Sequence, residues 1–165
     1  MGRLDRFKSA QASPHSGFAS ALAEIRSGRK TGHWIWYVFP QLEGLGISGP
    51  SQMYAVAGEA EAAEFLRDSE LRSRLLTILT AVAEQLRSGR VSLDALMGST
   101  IDARKLVSSL TLFGHVAEKV AATDDLDDLH ECESIARVAG EVLAIAAAEG
   151  YPACAYTLRH LGRAG

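Results

Sequence analysis

The chain has 165 residues, of which 47% are hydrophobic and 22% charged, enough for one domain with a sizeable core. Its formal net charge of −3 excludes the basic footprint that extended nucleic-acid binding requires. No run of about eighteen uncharged apolar residues occurs, the charged start MGRLDRFKSAQ lacks the apolar stretch of a signal peptide, and Gly2 is not followed by Ser or Thr at position six, so no membrane span, export signal or myristoylation is expected and a cytoplasmic location is.

The first element is a short helix read from Leu4, Phe7 and Ala10, which breaks at Ser13 and Pro14. Phe18, Ala21, Leu22 and Ile25 follow at i, i+3, i+4 and i+7, with Ser16 as the expected cap and Gly28 at the C-terminal end. Residues 33–39, HWIWYVF, are rich in aromatic and β-branched types, and Pro40 stops an ordinary helix. They read either as a short helix, with His33 and Trp36 on one face, or as an extended piece, with Trp34, Trp36 and Val38 on one face and His33, Ile35 and Tyr37 on the other. Residues 41–51 carry Gly44, Gly46, Gly49 and Pro50 and are expected to form a loop whose glycines admit close backbone approach, but they contain no P-loop or dinucleotide-binding spacing.

A long core helix is expected over Ser69–Arg87, with Leu71, Leu75, Ile78, Leu79, Val82 and Leu86 on one face and Gly89 after its end. Ser92 opens a short turn through Met97, and Ser99 or Thr100 caps a helix that buries Leu106, Val107, Leu110 and Phe113. The acidic run 123–128 suits a loop and the positive end of a further helix reaching Glu149, with Leu129, Ile135, Val142, Leu143 and Ile145. Gly150 ends that helix, and Pro152 is expected to begin a last short one. Cys132 and Cys154 show neither a CxxC nor a Cys/His spacing, so no zinc site and no disulfide framework is indicated. The expected fold is all-α: one domain over residues 1–165, a bundle of about six to eight helices with a short irregular or extended aromatic segment.

Two polar constellations border this core. In the first, Arg29 and Lys30 can bind an anion, Trp34 or Trp36 can stack on a flat ring, His33 can move a proton near neutral pH, and Gln41 can read a polar edge. In the second, Asp102, Lys105 and Ser109 fall in one stripe beside the apolar face of Leu106, Leu110 and Phe113. Each set has a structural alternative: the tryptophans as core, the cations as complements of a helix dipole, and Asp102 with Lys105 as simple i, i+3 support.

The blocks RFKSAQ (6–11), GRKTGHWIWYVFPQLEGLG (28–46), MYAVAGEAEAAEFL (53–66) and DARKLVSSLTLF (102–113) resemble, in order, a small all-helical bacterial family of unknown function that sometimes carries a calpastatin-like label. The resemblance spans residues 4–113 and implies a helical single domain, with no reaction attached. Two departures stand out: DSE at 68–70 replaces a usual His-Pro, and residues 116–165 read as divergent C-terminal helices.

Together these readings place a pocket between the aromatic block and the 102–113 helix. Its expected occupant is a small phosphorylated or nucleotide-like ligand bound by Arg29, Lys30, Trp34, Trp36, Gln41, Lys105 and Ser109. His33 and Asp102 are the candidates for any hydrolysis or group transfer, and no metal or cofactor is expected. The competing reading is a non-catalytic helical module that binds protein.

Overall fold

Helical spacing of apolar residues is realised along most of the chain. The structure, a computed structural model, describes residues 2–124 and 129–162, so the acidic residues 125–128 expected to lead into the last long helix lie outside the described residues. Ten helices run through the described part: α1 (Asp5–Gln11), α2 (Phe18–Arg26), α3 (Ile35–Val38), α4 (Gly49–Met53), α5 (Glu59–Arg67), α6 (Ser69–Arg87), α7 (Leu93–Met97), α8 (Thr100–Thr123), α9 (Leu129–Ala148) and α10 (Ala155–Gly162). The all-α expectation holds, and the higher helix number comes largely from one-turn elements.

Capping explains several boundaries. Asp68 accepts the Leu71 N–H at 3.0 Å and starts α6, Ser92 accepts the Ala95 N–H at 3.4 Å before α7, and Ser99 accepts the Asp102 N–H at 3.1 Å before α8, each relieving one unpaired donor of a first turn. Ser16 does not cap α2: Gly17 occupies that position without a side-chain bond. The expected loop 41–51 gives up its last residues to α4, where Ser48 accepts the Ser51 N–H at 3.2 Å and Pro50 sits in the first turn, the one part of a helix that tolerates a missing N–H. The last helix begins at Ala155 rather than at Pro152.

The 24-residue helix α8 is the central strut, packed against α9, α5, α7, α10 and α3, while α6 lies against α9 and α2. Leu106, Leu110 and Phe113 are fully buried, as the spacing predicts. The aromatic segment resolves as the four-residue helix α3, bounded by Trp34 and Phe39 in non-helical conformations and packed on α1 and α8. Its end is pinned by Gln11, which donates to the Tyr37 carbonyl at 2.8 Å. The loop that follows is closed at its base by an isolated bridge between Leu42 and Val56, with Val56 N–H donating to the Gln41 carbonyl and Glu43 N–H to the Val56 carbonyl, both at 2.9 Å.

Candidate functional site

The turn carrying GRKTGHW is organised from outside itself, by Glu24 on α2. One oxygen of that carboxylate accepts the backbone N–H groups of Thr31 and Gly32, each at 2.7 Å, and the Trp34 indole N–H at 3.0 Å. Burial alone raises the Glu24 pKa, but these donors outweigh it and hold the carboxyl below its ordinary value. The turn delivers Lys30 to the start of α8. The Lys30 N–H donates to the Leu96 carbonyl at 2.7 Å, and its ammonium donates to the Gly32 carbonyl at 2.5 Å and pairs with Asp102 at 2.7 Å. The Trp34 ring lies 4.9 Å from that ammonium. Gly98, between α7 and α8, has φ +82°, and a Cβ there would lie 2.7 Å from the Lys30 carbonyl oxygen, so only glycine allows this approach.

One turn further along α8 the surface opens. A cavity of about 590 Å³ is lined by Gln41 and Leu45 on one side, by Ile101, Arg104, Lys105, Val107 and Ser108 along α8, and by residues 150–155 between α9 and α10. That volume lies in the range of small-molecule sites. The Lys105 ammonium sits 5.1 Å from the centre of the Trp36 ring, a cation–π contact. Neither Arg104 nor Lys105 forms an ion pair among the described residues. The far wall is tied down by Tyr156, whose hydroxyl donates to the Glu43 carbonyl at 2.9 Å. Gly44, at φ +94°, makes room for it, since a Cβ there would meet the Tyr156 hydroxyl at 2.2 Å. The close approach that this glycine permits is therefore to Tyr156.

The sequence candidates divide accordingly. Gln41 and Lys105 line the cavity, and part-exposed Trp36 stands beside Lys105. Trp34 has no exposed surface and cannot stack on a ligand, while Lys30 is 6% exposed and satisfied by Asp102. Lys30, Trp34 and part-exposed Asp102 thus form a paired, largely interior cluster beside the cavity rather than part of its lining. Arg29 and His33 are solvent-exposed and absent from the cavity lining. Ser109 is fully buried, with its hydroxyl unpartnered among the described residues, and Ser108 lines the cavity in its place.

Sequence reasoning passed over Arg104, Ser108 and the 150–155 segment. Ile101, Arg104, Lys105 and Ser108 were detectable as an i, i+3, i+4, i+7 set, a face turned by about 100° from the Asp102/Ser109 edge and sharing only Lys105 with it. The C-terminal wall left no local signal. Among the described residues, no three His, Cys, Asp or Glu side chains come together as metal ligands, and no helix is long and apolar enough to cross a membrane.

Residues 2–138 match the family described as "Protein of unknown function (DUF1810)". The chain belongs to that family. The match continues past His115 into α9, so the family pattern extends beyond residue 113, where the sequence blocks stopped. The fold is also similar to the crystal structure of the conserved hypothetical protein Rv1873 from Mycobacterium tuberculosis, at 31% identity and a TM-score of 0.69, over 94% of each chain. That coverage includes part of the segment after Val138, which is larger than the uncovered share. No curated protein matches the chain.

Proposed function

We propose that this DUF1810 protein binds a small anionic molecule with a flat or apolar part, of the phosphorylated or nucleotide-like kind, in the cavity between the loop after α3, α8 and the α9–α10 connection. The observation that carries this reading is the pairing of Arg104 and Lys105, two cations without carboxylate partners among the described residues, in one cavity with the apolar surfaces of Leu45, Ile101, Val107, Tyr151 and Pro152. An anion placed there gains charge-assisted hydrogen bonds that no side chain of the protein already supplies, and Gln41 and Ser108 add neutral polar contacts. Binding is better supported than hydrolysis, because Asp102 is committed to Lys30 and His33 is not part of the cavity wall. A cytoplasmic, reducing setting belongs to the same reading, in keeping with two free cysteines.

A helical protein-interaction module is supported less: of the large exposed hydrophobic side chains, Ile47 lies in the loop after α3 and Met53, Ile101 and Leu158 lie on three different helices. The test is a thermal-shift series with AMP, pyrophosphate and sugar phosphates. A ligand at one hundred times its dissociation constant adds about 2.7 kcal/mol of stability. No shift with any of them, at millimolar concentration and low salt, would defeat the reading.

A further inference from the structure

The far wall of the cavity contains a thiol that anion binding does not use. Cys154 is free, part-exposed and in the same lining as Arg104, Lys105 and Ser108. Its position is fixed on both sides. The Cys154 N–H donates to the Thr111 hydroxyl at 3.1 Å, that hydroxyl donates to the Val107 carbonyl at 2.7 Å, and the Cys154 carbonyl accepts the Leu158 N–H at 2.9 Å as the first bond of α10. The sulfur therefore sits at the N-cap of an eight-residue helix, where unpaired N–H groups and the helix dipole favour negative charge.

A second observation concerns Thr157. It has no exposed surface, its hydroxyl has no hydrogen-bond partner among the described residues, and it lies three residues on from Cys154, whose charged form it favours. A buried hydroxyl left open costs free energy, and an ionised sulfur beside it is an acceptor that would use it. The single Ser108 proton, which goes to the Arg104 carbonyl at 3.0 Å, can turn to the sulfur once that is ionised, since such back-bonds within a helix are weak. Burial pushes the Cys154 thiol up, but the Ser108 and Thr157 hydroxyls and the Thr157 and Tyr156 N–H groups outweigh it, and the net direction is down. Cys132 is the counter-example in the same chain: it is fully buried, and burial pushes its thiol up.

We propose that Cys154 is the nucleophile of this cavity, attacking a small carbon electrophile whose anionic group is held by Arg104 and Lys105. The thiol proton leaves to solvent first. The sulfur electron pair then forms the S–C bond while the bond from that carbon to its leaving group breaks and the leaving group departs with its electrons, so no oxidant or reductant is needed. The proposal rests on the anion-binding reading and adds chemistry to it.

Alkylation of the intact protein by iodoacetate and, separately, by uncharged iodoacetamide tests it, with peptide mass spectrometry at Cys154 and Cys132 and free cysteine as the reference. The expected result is an iodoacetate-to-iodoacetamide rate ratio at Cys154 about tenfold above that of free cysteine, from charge steering in the cleft. The double variant Arg104→Ala/Lys105→Ala should return the ratio to the reference value, and AMP should protect Cys154. If the double variant loses its helical circular dichroism, Arg104→Gln and Lys105→Gln, made singly, carry the same comparison. A ratio equal to that of free cysteine, or a Cys154 as inert as Cys132, in protein that AMP still stabilises overturns the nucleophile and leaves the anion site standing. A raised ratio without stabilisation by AMP keeps the nucleophile and restricts its partner to smaller anions.

Discussion

Two lysine–tryptophan pairs join the aromatic block to α8, and they do opposite things. Lys30 lies 4.9 Å from the Trp34 ring and Lys105 lies 5.1 Å from the Trp36 ring, so the local contacts are alike. Lys30, however, is closed off by Asp102 at 2.7 Å and the Gly32 carbonyl at 2.5 Å, with Trp34 fully buried beside it. Lys105 has no carboxylate among the described residues and borders the cavity. A cation whose charge the protein neutralises is part of the scaffold, whereas a cation held only by a ring keeps most of its charge for a solute. Tryptophan contact alone does not separate binding from packing; the remaining valences of the ammonium do.

Breaking the interior pair should cost the most. Trp34→Ala should destabilise the fold by about 3–5 kcal/mol through cavity formation, while Trp36→Ala, at a part-exposed position, should cost about 2 kcal/mol or less; denaturant titration of both variants compares them, and equal losses would erase the distinction. Lys30→Ala should cost about 3 kcal/mol, because it strands Asp102 at a largely buried position, and a loss below about 1 kcal/mol by the same titration would show that the pair is not part of the scaffold. Lys105→Ala should leave stability within about 0.5 kcal/mol. It should weaken AMP or pyrophosphate binding by about tenfold, the loss of one charge-assisted bond, as read by isothermal titration calorimetry.

The smallest effect expected concerns Glu24. Glu24→Gln replaces a charged acceptor by a neutral one and should cost about 1 kcal/mol at pH 7. Because the folded-state pKa of Glu24 lies below its ordinary 4.5, its contribution is fully present above that pH and is lost as pH falls through the folded value. The stability gap between wild type and variant should therefore narrow between pH 5 and pH 3, and a gap independent of pH would remove the carboxylate from its role as organiser of the turn.

Some of this could be read directly. The faces of α6 and α8 follow from apolar spacing that any amphipathic helix must show, and Ser99 announces its helix because a cap bonds to an N–H only three residues away, whereas the stretch that Ser92 opens reads as a turn and is the one-turn helix α7. The partners of Lys30, by contrast, lie on α8 and on its own turn, and the turn is shaped by Glu24, which carries no signature as a hub. The cavity needed still more distant information, since residues 150–155 meet α8 only after α9 has run back along it.

What the sequence by itself determined is the all-α class and the long core helices, because these depend on local propensity and on periodicity. Only the tertiary structure decided which lysine is neutralised and which faces the cavity, that Ser108 rather than Ser109 lines it, and that Cys154 shares that cavity with two cations. The physical reason is that burial and pairing are properties of three or four segments brought together, and a charge has no assigned partner until those segments pack.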